Sequence, residues 1–106
     1  MIEVNDTNYE DFVSGGDCVL QFSATWCGPC KALTKTLEAV IPGNTDLPFG
    51  KVDIDDARDL ASKFGIRSVP TLVFVSKGIE LKRTMGAKPA SAIQSFLDEC
   101  KKIGGE

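Results

Sequence analysis

The sequence contains no histidine. Without an imidazole there is no Ser-His or Cys-His catalytic pair, and every metal site that depends on a histidine ligand is excluded. An apolar run near the roughly 18 residues of a membrane-spanning helix is also lacking, so no membrane association is expected. There is no surplus of positive charge: 12 Lys and Arg face 15 Asp and Glu, a net charge of −3, which gives no general affinity for nucleic acid. The opening, Met1 to Asp6, has neither the basic start nor the apolar stretch of a secretory signal, and the expected location is cytoplasmic. Cysteines are few, namely Cys18, Cys27, Cys30 and Cys100. Four thiolates can hold zinc, but such sites join two close pairs and only one pair is close here, so no metal is expected. The same sparseness argues against a disulfide-stapled scaffold. With 106 residues, 42% of them hydrophobic, the chain suffices for one core and not for two, which predicts a single domain over residues 1–106.

The apolar pattern divides the chain into alternating strands and helices. Ile2 to Val4 reads as a short strand. Thr7 and Glu10 have the spacing of a capping box ahead of a helix whose stripe is Tyr9, Phe12 and Val13, ended by Gly15-Gly16. Cys18 to Ala24 is mostly apolar without clean alternation, as in a strand covered on both faces. From Cys30 the period becomes helical, with Leu33, Leu37, Val40 and Ile41 on one side and Pro42-Gly43 as the stop. Phe49 to Ile54 reads as a second central strand. Asp55-Asp56 are placed to cap a helix from Ala57 to Phe64, with Gly65 as its left-handed exit. After Pro70, Thr71 to Val75 has the highest strand propensity, and Lys77-Gly78 turns it into a hairpin with Glu80 to Met85. Pro89 opens a last helix with an Ile93, Phe96, Leu97 and Cys100 stripe, and Ile103 to Glu106 reads as a loose tail. A βαβ start followed by an antiparallel hairpin implies an α/β fold with a mixed sheet and helices on both faces.

The chemistry lies in Trp26-Cys27-Gly28-Pro29-Cys30, where a buried strand meets an amphipathic helix. A C-x-x-C pair in the first helical turn brings two sulfurs within reach of one disulfide. The first cysteine faces unpaired amides and the positive end of the helix dipole, both of which lower its pKa from about 8.5. Pro29 suits the first turn, where its missing N–H costs nothing. Lys31 adds a positive charge nearby. Cys18 and Cys100 read as small buried hydrophobes.

With this motif, and with Lys51-Val52-Asp53-Ile54-Asp55, Lys63 to Thr71 (KFGIRSVPT) and Gly86-Ala87 downstream, the chain closely resembles the thioredoxin family over nearly its whole length. The resemblance implies a central, mostly five-stranded mixed sheet. It implies a protein-disulfide reductase in which Cys27 attacks substrate disulfides and Cys30 resolves the mixed disulfide. It further implies a cis bond before Pro70, and a substrate groove comprising Trp26, Val69, Pro70, Gly86 and Ala87. Gly28, Pro29, Gln21 and Lys51 are the expected supporting residues. Such a monomeric carrier needs no bound cofactor, its substrates are disulfide-containing proteins, and its electrons come from a thioredoxin reductase.

Three positions depart from the family. Gln21 stands where a buried aspartate is usual, Ser23 where a tryptophan is usual, and Lys35 where a helix-kinking proline is frequent. The aspartate is associated with proton transfer to or from the resolving cysteine. Gln21 does not titrate, so that role is either empty or passes to water or Lys51. Two alternatives stay open on the sequence: a more oxidising disulfide exchanger, suggested by Gln21, and a binding module of the same fold within a larger assembly.

Overall fold

The computed structural model describes residues 1–104. Strand β2 (Asp17–Ser23) is buried at six of its seven positions, because both of its faces are covered. Cys18, Leu20 and Phe22 point into one core, with Tyr9, Val13, Leu60 and Phe64. Val19 points into the other, with Leu33, Leu37, Ile93 and Leu97. An alternation of two apolar sets has no polar beat, which is why the sequence shows none. Val19, Leu20 and Phe22 are wholly inaccessible to solvent. Burial of each contributes about 1.5–3 kcal/mol.

The sheet is ordered β1-β3-β2-β4-β5, with β1 at Ile2–Glu3, β3 at Phe49–Asp53, β4 at Thr71–Ser76 and β5 at Ile79–Met85. β1, β3 and β2 are parallel, whereas β4 runs antiparallel to β2 and to β5. Helices α1 (Tyr9–Val13) and α3 (Arg58–Lys63) supply the first core; α2 (Gly28–Val40) and α4 (Ala90–Ile103) supply the second. This is the expected mixed sheet with helices on both faces. At the hairpin, Lys77 and Gly78 both have positive φ, 54° and 81°, the twist that matches a tight two-residue turn. No helix among the described residues is long and apolar enough to cross a membrane.

Three local expectations are corrected. The Thr7–Glu10 capping box does not form. Instead Asn5 and Asn8 close the entry to α1 reciprocally: the Asn5 amide donates to Asn8 Oδ1, and the Asn8 amide to Asn5 Oδ1. Nor do Asp55 and Asp56 cap α3. Asp6 does so from across the fold, accepting the Leu60 amide at 3.0 Å and the Asp59 amide at 3.4 Å. A cap supplied more than fifty residues away leaves no local spacing to detect. Finally, the chain after Lys102 does not loosen where expected. Ile103 is the last residue of α4, and Gly104 is buried, with its amide bonded to the Cys100 carbonyl. A Cβ at Gly104 would lie 2.5 Å from Phe74 Cζ, so only glycine fits. Gly105 and Glu106, the rest of the expected tail, lie outside the described residues.

Candidate active site at the head of α2

β2 delivers the chain to the site, and a short turn closed by the Cys27 amide on the Ala24 carbonyl leads into α2. Cys27 is the N-cap of α2 in extended conformation, and its sulfur accepts the Cys30 amide at 3.1 Å. A sulfur thus takes the place usually held by a capping oxygen, receiving one of the free helix N–H groups. Gly28 and Pro29 complete the first turn, and Cys27 and Cys30 are joined by a disulfide with Cα atoms 5.3 Å apart. Both residues are buried, Cys27 at 5% and Cys30 at 2% exposure, so exposure hardly separates them. The cap geometry does, because only Cys27 receives the helix N–H.

The Val69–Pro70 peptide is cis, as the resemblance implied. Cys27 Sγ lies 3.8 Å from the Val69 carbonyl oxygen, and Val69 packs with Ala24, Cys27 and Cys30. The Gly86 amide donates to the Pro70 carbonyl, which fastens the end of β5 to this loop. Ala87 follows on exposed chain. Trp26 is 68% exposed, with its indole N–H held by Asp55 Oδ2 at 2.9 Å, and it stands beside the disulfide as a large free surface.

Beneath α2 lies Gln21, 1% exposed. Its amide nitrogen donates to the Cys30 carbonyl at 3.2 Å and to Thr34 Oγ1 at 3.0 Å, and Thr34 Oγ1 lies 3.0 Å from that same carbonyl. Both Gln21 donors are therefore committed to the helix. Lys51 is the β3 register partner of Gln21, and Asp53 that of Ser23. Strand alternation puts all four side chains on the face that carries α2. Lys51, Ser23 and Cys30 share a cavity of about 370 Å³ with Glu3, Lys31 and Asp53.

Cys18 and Cys100 are remote from this constellation and buried in the two cores. Burial, aided by Asp17, pushes the Cys18 thiol up to about 11. Burial likewise pushes Cys100 up to about 12, against the opposing pull of Lys82.

The Thioredoxin family pattern matches residues 1–99. The chain belongs to the thioredoxin family. It is 38% identical over 92 residues to Thioredoxin-2 of Saccharomyces cerevisiae, covering 85% of this chain and 88% of that one. It is 34% identical over 96 residues to the thioredoxin of Chlamydia caviae, covering 91% and 94% of the two chains. The X-ray structure of Fasciola hepatica thioredoxin superposes with a TM-score of 0.85 at 28% identity, covering 93% of this chain and 98% of that one. As a thioredoxin with an intact Cys27–Cys30 pair, the protein is a thiol-disulfide oxidoreductase.

Sequence reasoning missed Thr34 and Asp55 as members of the site. Thr34 stands four residues after Cys30, on the same helix face, which was the available signal. Asp55 lies in a segment that carried the resemblance, but its bond to Trp26 spans twenty-nine residues and has no sequence signature.

Proposed function

We propose that the protein reduces disulfides of other proteins, with Cys27 as the attacking thiolate and Cys30 as the resolving thiol. The observation that carries this assignment is the Cys30 amide bonded to Cys27 Sγ at the head of α2. A hydrogen bond and a helix N-terminus both favour the charged form of the sulfur they face, and the thiolate is the nucleophile. Extended substrate backbone would lie along Trp26, Val69, Pro70, Gly86 and Ala87, with the substrate disulfide over Cys27. The donor of electrons is a thioredoxin reductase, and the working form is a cytoplasmic monomer. Cys30→Ser should accumulate mixed disulfides through Cys27, while Cys27→Ser should be inert. Release of reduced substrate by the Cys30→Ser variant at the wild-type rate would reject the assignment.

A second reading, a more oxidising exchanger, is favoured by Gln21: an uncharged amide bonded to the Cys30 carbonyl puts no negative charge at that position to oppose thiolate formation. A reduced form stabilised in this way makes the disulfide a stronger oxidant. Equilibration with a glutathione buffer distinguishes the two by the measured potential.

A further inference from the structure

The cavity beside Cys30 shares no lining residue with the proposed substrate groove. Its lining takes in Cys30, Ser23, Lys31, Lys51 and Asp53, but not Cys27, Val69 or Pro70. It is therefore poorly placed to receive the disulfide that Cys27 attacks and well placed to serve Cys30. At about 370 Å³ it has room for several water molecules, and its walls carry polar partners for them.

The resolving step has a proton to lose. The thiol of Cys30 must ionise before it can attack, and the chain has no histidine to help. Gln21 cannot take the proton, and both of its donors are held by Cys30 and Thr34 of α2. Lys31 and Lys51 are ammonium groups with no lone pair to accept one. Two carboxylates remain on the wall, Glu3 and Asp53. Glu3 is an exposed residue of the edge strand β1, whereas Asp53 is half-buried and pairs in register with Ser23 on β2. One Asp53 oxygen accepts the Asp55 amide at 2.9 Å, which fixes the carboxylate at the end of β3.

From this juxtaposition we infer that Asp53 is the proton acceptor for Cys30, acting through water in the cavity, with Lys31 and Lys51 steadying the thiolate that forms. The inference rests on Cys30 being the resolving thiol. In the mixed disulfide, the Cys30 proton passes through water to the Asp53 carboxylate, and the Cys30 thiolate attacks Cys27 Sγ. The Cys27–Cys30 bond forms, the bond from Cys27 to the substrate sulfur breaks, and that sulfur leaves as a thiolate that takes a proton from solvent. The protein dithiol is oxidised and the substrate disulfide is reduced by the same two electrons. Asp53 then returns its proton to bulk water.

Asp53→Asn tests this directly, because the asparagine oxygen still accepts the Asp55 amide while the base is lost. Reduced protein is mixed with a peptide disulfide in stopped flow, and formation and collapse of the mixed disulfide are followed separately. General bases contribute roughly 10²–10⁴-fold, and solvent in an open cavity substitutes in part, so collapse should slow by about tenfold. Formation, which depends on Cys27, should change less than about twofold. The pH profile of collapse should also steepen toward about tenfold per pH unit, the dependence of a thiol that must pre-ionise unaided. Asp53→Glu should restore much of the rate. Collapse unchanged in rate and pH dependence in Asp53→Asn would overturn the inference, as would slowing confined to Lys51→Met. Failure of the assignment beneath it reads differently: Cys30→Ser would then still release substrate.

Discussion

One cysteine lies near the start of β2 and another just beyond its end, and the two are chemically opposite. Cys18, near the start of β2, is sealed among Leu20, Phe22, Val73 and Val75, and its proton is held up to about 11. Just past the other end of β2, Cys27 caps a helix, receives an N–H group and lies beside an exposed tryptophan. Cys100, deep in the second core, repeats the first case with a thiol raised to about 12. Desolvation suppresses the anion, and a helix N-terminus supports it. Reactivity in this protein thus follows from where the fold places a sulfur, and two of the four cysteines serve packing.

The sharpest way to break the comparison is to exchange the roles by deletion. Cys27→Ser should reduce disulfide-reductase activity to background. Cys18→Ala and Cys100→Ala should leave turnover within about twofold of wild type and cost about 1–2 kcal/mol each through lost packing. Urea unfolding alongside a protein-disulfide reduction assay checks both halves. Loss of activity in a folded Cys18→Ala or Cys100→Ala protein would show that the distinction is false.

Gln21→Asp tests the same contrast from below. An aspartate cannot donate to the Cys30 carbonyl or to Thr34, and it buries a charge beside the active thiols, so stability should fall by about 2–3 kcal/mol. The carboxylate should raise the thiol pKa of Cys30 and, less strongly, of Cys27, and shift the couple to a more reducing potential. Thiol titration and redox equilibration give the signs; unchanged values would mean that the position beneath Cys30 does not govern the sulfurs.

A smaller effect is expected from Thr34→Val, which removes the hydroxyl that ties Gln21 to α2: about 1 kcal/mol, with a modest loss of activity. Asp6→Ala should lower stability by a similar or smaller amount, about 1 kcal/mol, by uncapping α3. Because α3 packs in the core away from the active pair, its potential should not move. A shifted potential in Asp6→Ala would mean that the two regions are coupled.

The order of elements was legible because each is marked by local chemistry: the apolar block of β2, the Cys-Gly-Pro-Cys entry to α2, the Lys77-Gly78 turn and the four-residue stripe of α4. The reactive pair was legible for the same reason, since both cysteines and their helix end lie within one short segment. What escaped were arrangements closed across the fold. Asp6 reaches α3 through tertiary folding, Trp26 finds Asp55 by the pairing of adjacent loops, and Gly104, at the end of α4, is fixed by the Phe74 ring of β4. Gln21 was recognisable as a departure, but its commitment to the Cys30 carbonyl depends on how α2 lies over β2. Asp53 was visible only as part of a motif until the parallel register of β2 and β3 set it opposite Ser23, on the cavity that Cys30 lines.

The contrast between the thiols is tested most directly by alkylating the reduced, folded protein with limiting iodoacetamide over a range of pH and mapping the label by mass spectrometry. Cys27 should be labelled first, at a pH below that needed for an ordinary thiol, with Cys30 slower and Cys18 and Cys100 protected until the protein is unfolded. Labelling of Cys30 before Cys27, or of either core cysteine in the folded state at a comparable rate, would contradict the account.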